Sequence, residues 1–473
     1  MDAPDPGRLA RLIDHAFEHE ALDALARYTE IRCLSPAFDR DWQARGELAR
    51  AAALLADYLR ARRLDGARIE IIELPGRTPV VLGEFPATDP ARAGSTTLVY
   101  GHFDKQPPLG AWRAGLDPFG LVREGERAYG RGTADDGYAT FAAAHALGAL
   151  DSLGVRRGRV VVLLESSEES ASNDLDAYLD HLAGRLGRPG LVVCLDAGCV
   201  SYDRLWTTSS LRGNLVVTLR VDVLSEGVHS GSAGGIVPSS FRICRALLDR
   251  VEDAASGTVL LPSCQTAIPE HRAAEIAALA EEFGEAAAGV FPAPAGLELA
   301  GTSLAERIEN GTWRACLALI GVDGVPSVAE GGNVLRPYTA LKLSLRLPPN
   351  CDARRALAEL EATLRADPPA GATVRVEAEA PAAGWDAPSA DPWLARALDA
   401  ASRAYFGAPP RAMGLGGSIP FMAALGERFT DAQYLATGVL GPGSNAHGPN
   451  EFLHLPTAKA LTASLAHLLA LAP

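Results

Sequence analysis

No run of this sequence is apolar for long enough to span a membrane, which takes about 20 residues. A basic excess is missing too: 44 lysines and arginines stand against 58 aspartates and glutamates, a formal net charge of −14. Nucleic acids and anionic membranes are bound through a basic face, so neither is expected as a partner. The first twenty residues lack an apolar signal core and carry Asp2, Asp5, Asp14, Glu18 and Glu20, so no secretion signal is expected. Cysteine is scarce, at seven of 473 residues with no CxxC pair. That odd, scattered set argues against a disulfide framework and for reduced thiols in the cytoplasm. There is no internal repeat and no low-complexity tail.

What is present suits a large soluble protein. The length exceeds one ordinary domain, and 48% apolar residues can fill a sizeable core. Residues 8–30 and 42–63 show helical spacing of apolar positions. Arg68–Leu74 reads as a strand with one wet face. Thr97–Tyr100, Arg159–Leu164 and Leu191–Leu195 are apolar almost throughout, as strands buried on both faces are. Gly137–Leu153 reads as an Ala-rich helix between two of them. This alternation predicts an α/β sheet flanked by helices. Near Gly213 the pattern changes: strands at Asn214–Val223, Ala315–Gly321, Thr339–Leu347 and Thr373–Glu379 alternate with helices at Ser239–Arg250, Ala273–Ala288 and Ala353–Arg365. A smaller α+β layer inserted into the first domain is expected. The boundaries are a first segment of the larger domain at 1–211, an insert at 212–383 and a second segment of the larger domain at 384–473, which holds helices at Trp393–Tyr405 and Thr457–Leu471.

Acid and imidazole groups gather at the ends of these strands and just before a helix, where open α/β sheets place ligands. The segments are Tyr100-Gly-His-Phe-Asp104, Gly130-Arg-Gly-Thr-Ala-Asp-Asp-Gly137, Glu165-Ser-Ser-Glu-Glu169, Asp196 and, far downstream, Asn445-Ala-His-Gly-Pro-Asn-Glu451. Clustered carboxylates at apolar strand ends repel one another and resist desolvation. Lys105, directly after the first segment, and Arg131 are the only cations in or beside these segments, too few to balance them. Two divalent ions would bring four positive charges against the three negative ones of Asp135, Glu169 and Asp196, leaving one for a bound hydroxide. With two imidazoles, this nitrogen and oxygen donor set suits zinc, with manganese or cobalt as alternatives. Taken singly, each segment has a plainer reading: Asp135-Asp136 as a helix cap, Glu168-Glu169 as a solvated helix start, a lone histidine as a core residue. Gly130-x-Gly132 lacks the third glycine of a dinucleotide loop. Five such segments in one chain outweigh the separate readings.

Together these segments resemble the dinuclear zinc metallopeptidases that include carnosinase-type dipeptidases, folate-cleaving glutamate carboxypeptidase, aminoacylase and succinyl-diaminopimelate desuccinylase. Tyr100-Gly-His-Phe-Asp-Lys-Gln-Pro107 and Tyr129-Gly-Arg-Gly-Thr-Ala-Asp-Asp-Gly137 are most similar to the carnosinase branch. The resemblance implies a mixed-sheet catalytic domain with an inserted ferredoxin-like lid that also forms a homodimer. It implies His102 and Asp196 on one metal, Glu169 and His447 on the other, and Asp135 bridging both through a cis Asp135–Asp136 bond. Asp104 would orient His102, and Glu168 would be the general base. His229 would cross the dimer to the scissile carbonyl oxygen, with Asn333 near it; Arg346 would grip the substrate carboxylate and Ser418 would line that pocket. Two positions depart from the branch. Lys105 replaces a small apolar residue, and Leu415 replaces an acid that can receive a free amino terminus. The expected activity is hydrolysis of a peptide or amide bond in a small carboxylate-bearing substrate, as a dipeptidase or carboxypeptidase. An N-acyl-amino-acid deacylase is the alternative on the same core, and a binding protein that has lost catalysis is the third reading.

Overall fold

The computed structural model describes residues 3–289, 291 and 293–473. The chain divides into two units. One comprises residues 1–209, 387–412 and 420–473, the other 210–386 and 413–419. The segment Met413–Ile419 thus groups with the insert, although the sequence places it in the last catalytic stretch.

The first unit is built on a six-stranded mixed sheet. Its strands are β1 (Arg68–Ile72), β2 (Val80–Phe85), β3 (Thr96–His102), β4 (Arg159–Glu165) and β5 (Leu191–Cys194), closed by Gln433–Ala436. The spatial order is β1, β2, β4, β3, β5, then Gln433–Ala436. β4, β3, β5 and the closing strand run parallel, while β1 and β2 are antiparallel to their neighbours. Every residue of β3 and β5 is buried, which explains the apolar runs at their centres. The helices Tyr138–Ser152 and Leu455–Leu471 are apolar on nearly all sides because they pack on each other and on further helices. The N-terminal helical stretch is Pro6–Ala16, one π turn at Phe17–Ala21, then Leu22–Thr29. The next one breaks at Gly46, whose φ of 69° favours glycine.

The second unit carries a four-stranded antiparallel sheet, ordered Cys316–Asp323, Tyr338–Leu347, Gly213–Asp222, Thr373–Ala378. In chain order this is β-α-β-β-α-β, the ferredoxin-like arrangement, with the helices Ser240–Leu248 and Ala353–Arg365 packed on the sheet. Gly213–Asp222 alternates strictly, and Leu215, Val217, Leu219 and Val221 enter the core. The predicted helix 273–288 is two helices, Glu270–Phe283 and Glu285–Ala288, parted by Gly284 at φ 55°.

Candidate metal centre

The first unit brings His102, Asp104, Asp135, Glu168, Glu169, Asp196 and His447 into one cluster. His102 ends β3; Glu168 and Glu169 begin the short turn that follows β4, and Asp196 lies two residues past β5. These three strands are parallel neighbours, so their C-terminal ends fall side by side. Asp135 comes from the turn Thr133–Gly137, and His447 from the loop before the last helix. The helix after Asp135 begins at Tyr138 without any side-chain cap, so Asp135 and Asp136 do not serve as helix caps. The Asp135–Asp136 peptide is cis.

Asp135 stands at the middle. Its Oδ1 lies 3.4 Å from His102 Nε2, and its Oδ2 lies 3.0 Å from His447 Nε2. Asp196 Oδ2 is 3.7 Å from His102 Nε2, and Glu169 Oε2 is 3.2 Å from His447 Nε2. The cluster thereby splits into two groups, His102–Asp135–Asp196 and Asp135–Glu169–His447, each with ligand atoms within 4.8 Å of one another. His102 Nε2 and Glu169 Oε1 are buried without a hydrogen-bond partner. Buried polar atoms are seldom left so, and these two belong to opposite groups. The donors, one imidazole and two carboxylates per group with Asp135 common to both, would suit two divalent ions.

The electrostatics favour cations at the same places. Burial alone would lift the Asp135 carboxyl, but the two imidazoles hold it well below the usual range. Hydrogen bonding to Asp135 and Glu169 lifts His447 to about 11. Burial opposes a charge on His102, yet Asp104, Asp135 and Asp196 around it raise its proton affinity well above normal. Burial pushes Asp196 up to about 7 and raises Glu168 and Glu169. Each imidazole thus sits between carboxylates that favour positive charge there, where a divalent ion would be balanced.

Supporting contacts fix the donors. Asp104, fully buried, reaches His102 Nδ1 at 3.4 Å and accepts from the backbone N–H groups of Glu168 and Glu169 at 3.2 and 3.1 Å. One side chain thus orients a ring and the turn that carries both glutamates. Tyr138 donates to the carbonyl of Leu195, steadying the approach to Asp196. Three supports escaped the sequence reading. Gln106 Nε2 donates to Glu169 Oε2 at 2.7 Å. Lys105 turns away from the metal groups: its buried Nζ donates to the carbonyls of Tyr28, Thr29 and Ile31 at 2.9, 3.2 and 2.8 Å, capping the helix Leu22–Thr29. Glu451 accepts from Gly132, Ala134 and Asp135 N–H groups and from Arg131. No local pattern marks these roles, because each partner is distant in the chain.

The other predicted residues, His229, Asn333, Arg346 and Ser418, belong to the second unit. His229 and Asn333 are neighbours there. His229 pairs with Val334, and Ser230 N–H donates to the Asn333 carbonyl at 2.9 Å. Both residues are exposed, and His229 uses Nδ1 to accept from Gly231 N–H. Arg346 lies on Tyr338–Leu347 opposite Asn214 and Cys316, half-buried and without a carboxylate partner among the described residues. Burial and the nearby Arg212 weaken its hold on its proton, so an anion beside it would relieve an uncompensated charge. Arg212 is committed elsewhere, donating to the carbonyls of Gly416, Asn310 and Arg314. Ser418 is half-buried two residues beyond Gly416.

Residues 98–471 match the family described as Peptidase family M20/M25/M40. A cysteinylglycine-S-conjugate dipeptidase of Corynebacterium striatum is 27% identical over 378 residues, covering 79% of this chain and 81% of that protein. Among solved structures, human carnosine dipeptidase 1 has a TM-score of 0.78 at 22% identity, with 100% of both chains covered. A metallo-carboxypeptidase from Sulfolobus solfataricus has a TM-score of 0.79 at 22% identity, covering 96% of this chain and 99% of that one. At those identities the two structures speak for the fold.

Proposed function

Because the chain belongs to peptidase family M20/M25/M40 and is a metal-dependent hydrolase of peptide bonds, we propose that it is a cytoplasmic dipeptidase using two zinc ions, with His102, Asp135 and Asp196 on one and Asp135, Glu169 and His447 on the other. The observation that carries the reading is the Asp135 carboxylate, whose two oxygens face the imidazoles of two separate groups. Bound ions of this kind supply Lewis acidity and an acidified water. Glu168 takes the proton of the attacking water on its carboxylate and returns it to the leaving nitrogen. Burial beside Asp196, Glu169 and Asp104 gives Glu168 the raised proton affinity that such a carrier needs. His102 and Glu169 keep their orientation through Asp104 and Gln106.

From the second unit we assign Arg346 and Ser418 to the substrate carboxylate, and His229 with Asn333 to the scissile carbonyl oxygen of the partner's site in a homodimer. The exposed edge strand Cys316–Asp323 supports that assembly. Leu319, Ile320 and Val322 are each about half exposed on it (52, 54 and 51%), an apolar edge that a second copy would cover.

The Corynebacterium relative makes S-substituted cysteinylglycine the first substrate class to test. Chelation abolishes cleavage of free dipeptides, and Zn²⁺, Mn²⁺ or Co²⁺ restores it, when hydrolysis is followed by amine release. Full turnover by a sample with no detectable metal would end this reading. Faster cleavage of N-acyl amino acids than of free dipeptides would replace the dipeptidase by a deacylase on the same centre.

A further inference from the structure

The two loops that carry Asp135 and His447 are joined by one buried ion pair. Arg131 Nη1 donates to Glu451 Oε2 at 2.6 Å, and both side chains are almost completely buried. The same Glu451 oxygen accepts from Gly132 N–H at 3.1 Å. Its other oxygen accepts from Ala134 and Asp135 N–H at 3.0 and 3.2 Å. In the reverse direction, Arg131 Nη2 donates to the carbonyl of Gly448, beside His447, at 2.6 Å. Gly130 N–H donates to the Glu451 carbonyl at 3.0 Å. A carboxylate bound by several N–H groups and a guanidinium is held rigidly.

The His447 loop needs such a hold. Asn445, His447 and Asn450 have φ of 56°, 63° and 62°, in the left-handed region that most residues with a Cβ avoid and that Asn and His enter more readily. Three such residues within six positions persist only where the surroundings over-determine them. The clamp touches this loop at Gly448 and Glu451, on either side of Asn450 and next to His447.

We infer that Glu451, together with Arg131, is a positioning residue that presets the Asp135–Glu169–His447 group for its ion by locking the Asp135 loop to the His447 loop. The inference rests on the two-ion reading above and deepens it. Glu451 touches no substrate and binds no ion itself; it acts through the backbone of Asp135 and the setting of His447. Asp135 belongs to both groups and His447 to one, so the clamp's loss falls more heavily on the Asp135–Glu169–His447 group.

Zinc titration against a competing chelator, on the full-length chain, tests this. The wild type takes up two equivalents. In Glu451→Gln, one equivalent weakens about 10- to 100-fold while the other holds better, as expected when the support of a ligand is removed. Arg131→Lys keeps the charge but cannot serve Gly448 and Glu451 at once, and it shows the same order of loss. Tyr58→Phe, which loses a buried bond to His145 on another helix, binds both equivalents as the wild type does. Amide exchange of the metal-free wild type is read alongside, and Gly132, Ala134 and Asp135 N–H exchange slowly, because the clamp is preformed. Fast exchange at those three amides overturns the proposal even where a variant fails to fold. So do folded variants that bind both equivalents with wild-type affinity. A wild type that takes up no zinc fails the two-ion reading instead.

Discussion

Neighbouring side chains can hold opposite duties when their surroundings differ. Glu168 and Glu169 are adjacent, and both rest their N–H groups on Asp104. Glu169 lies 3.2 Å from His447 and accepts from Gln106, whereas Glu168 stands outside both three-residue groups. One acid is thus fixed in a donor set, and the other is free to carry a proton. Glu168→Gln preserves the shape and leaves every donor in place. Two ions per chain should remain by elemental analysis, while kcat falls at least about 10²-fold, the low end for loss of a general base. Turnover near the wild-type rate would hand the base role to another group. At this scale much of the site was legible in the sequence, since carboxylates and imidazoles at predicted strand ends need a cation whatever the details of the fold. Gln106, Glu451 and the inward turn of Lys105 were not, because their partners lie far away in the chain and leave no spacing to read.

Among the elements, the helix Tyr138–Ser152 follows the Asp135 turn directly and is buried along most of its length. Its one imidazole, His145, is bonded to Tyr58 Oη at 2.6 Å, and burial lowers its pKa to about 4. Above pH 6.5 the ring is neutral in the folded and unfolded chain alike and has no effect on stability. As the pH falls from 6.5 toward 4, the unfolded chain takes up a proton that the folded one refuses, so stability is lost. The full loss amounts to roughly 3 kcal/mol, reached near pH 4. His145→Gln should flatten that slope, so urea unfolding at stepped pH should give a wild-type minus variant difference that shrinks between pH 6.5 and 4. A difference constant over that window would assign the titration elsewhere. The same helix shows why element type is readable and element ends are less so. The sequence places it at 137–153, one residue wider at each end than the observed 138–152. Strands buried on both faces announce themselves as apolar runs. β2 does not, because Glu84 interrupts it, and that charge is met by Arg159 and Arg185 from other elements. Leu304–Thr312 went unread as well, for its apolar positions are few among charged ones. Nothing in the order of residues alone announces that Met413–Ile419 groups with the insert.

For the whole molecule, the decisive feature is that the predicted site residues divide between the two units. The proposed metal donors and the base fall in the first, and His229, Asn333, Arg346 and Ser418 fall in the second. A hydrolase assembled this way gains from a second copy if the exposed His229 serves a site on its partner. His229 lies on the two-residue strand Val228–His229, paired with Val334–Leu335, in the unit whose edge strand offers a half-exposed apolar surface to another chain. Such an enzyme depends on its own concentration: dilution to monomer should abolish turnover while the metal stays bound. Complementation gives the sharper test. His229→Ala and Glu168→Gln chains should each be inactive as homodimers. Mixed and allowed to exchange, they form hybrids in which one site combines an intact Glu168 from the first chain with an intact His229 from the second. The other site then lacks both. Recovered activity should approach a quarter of wild type per chain, since half the dimers in an equal, random mixture are hybrids with one working site of two. Hybrids shown by mass to have formed, yet inactive, would put His229 in its own subunit's service, and activity of the His229→Ala homodimer would put it outside the chemistry. The proposed metal donors would be untouched by that result, because His102, Asp135, Asp196, Glu169 and His447 all come from one unit of one chain.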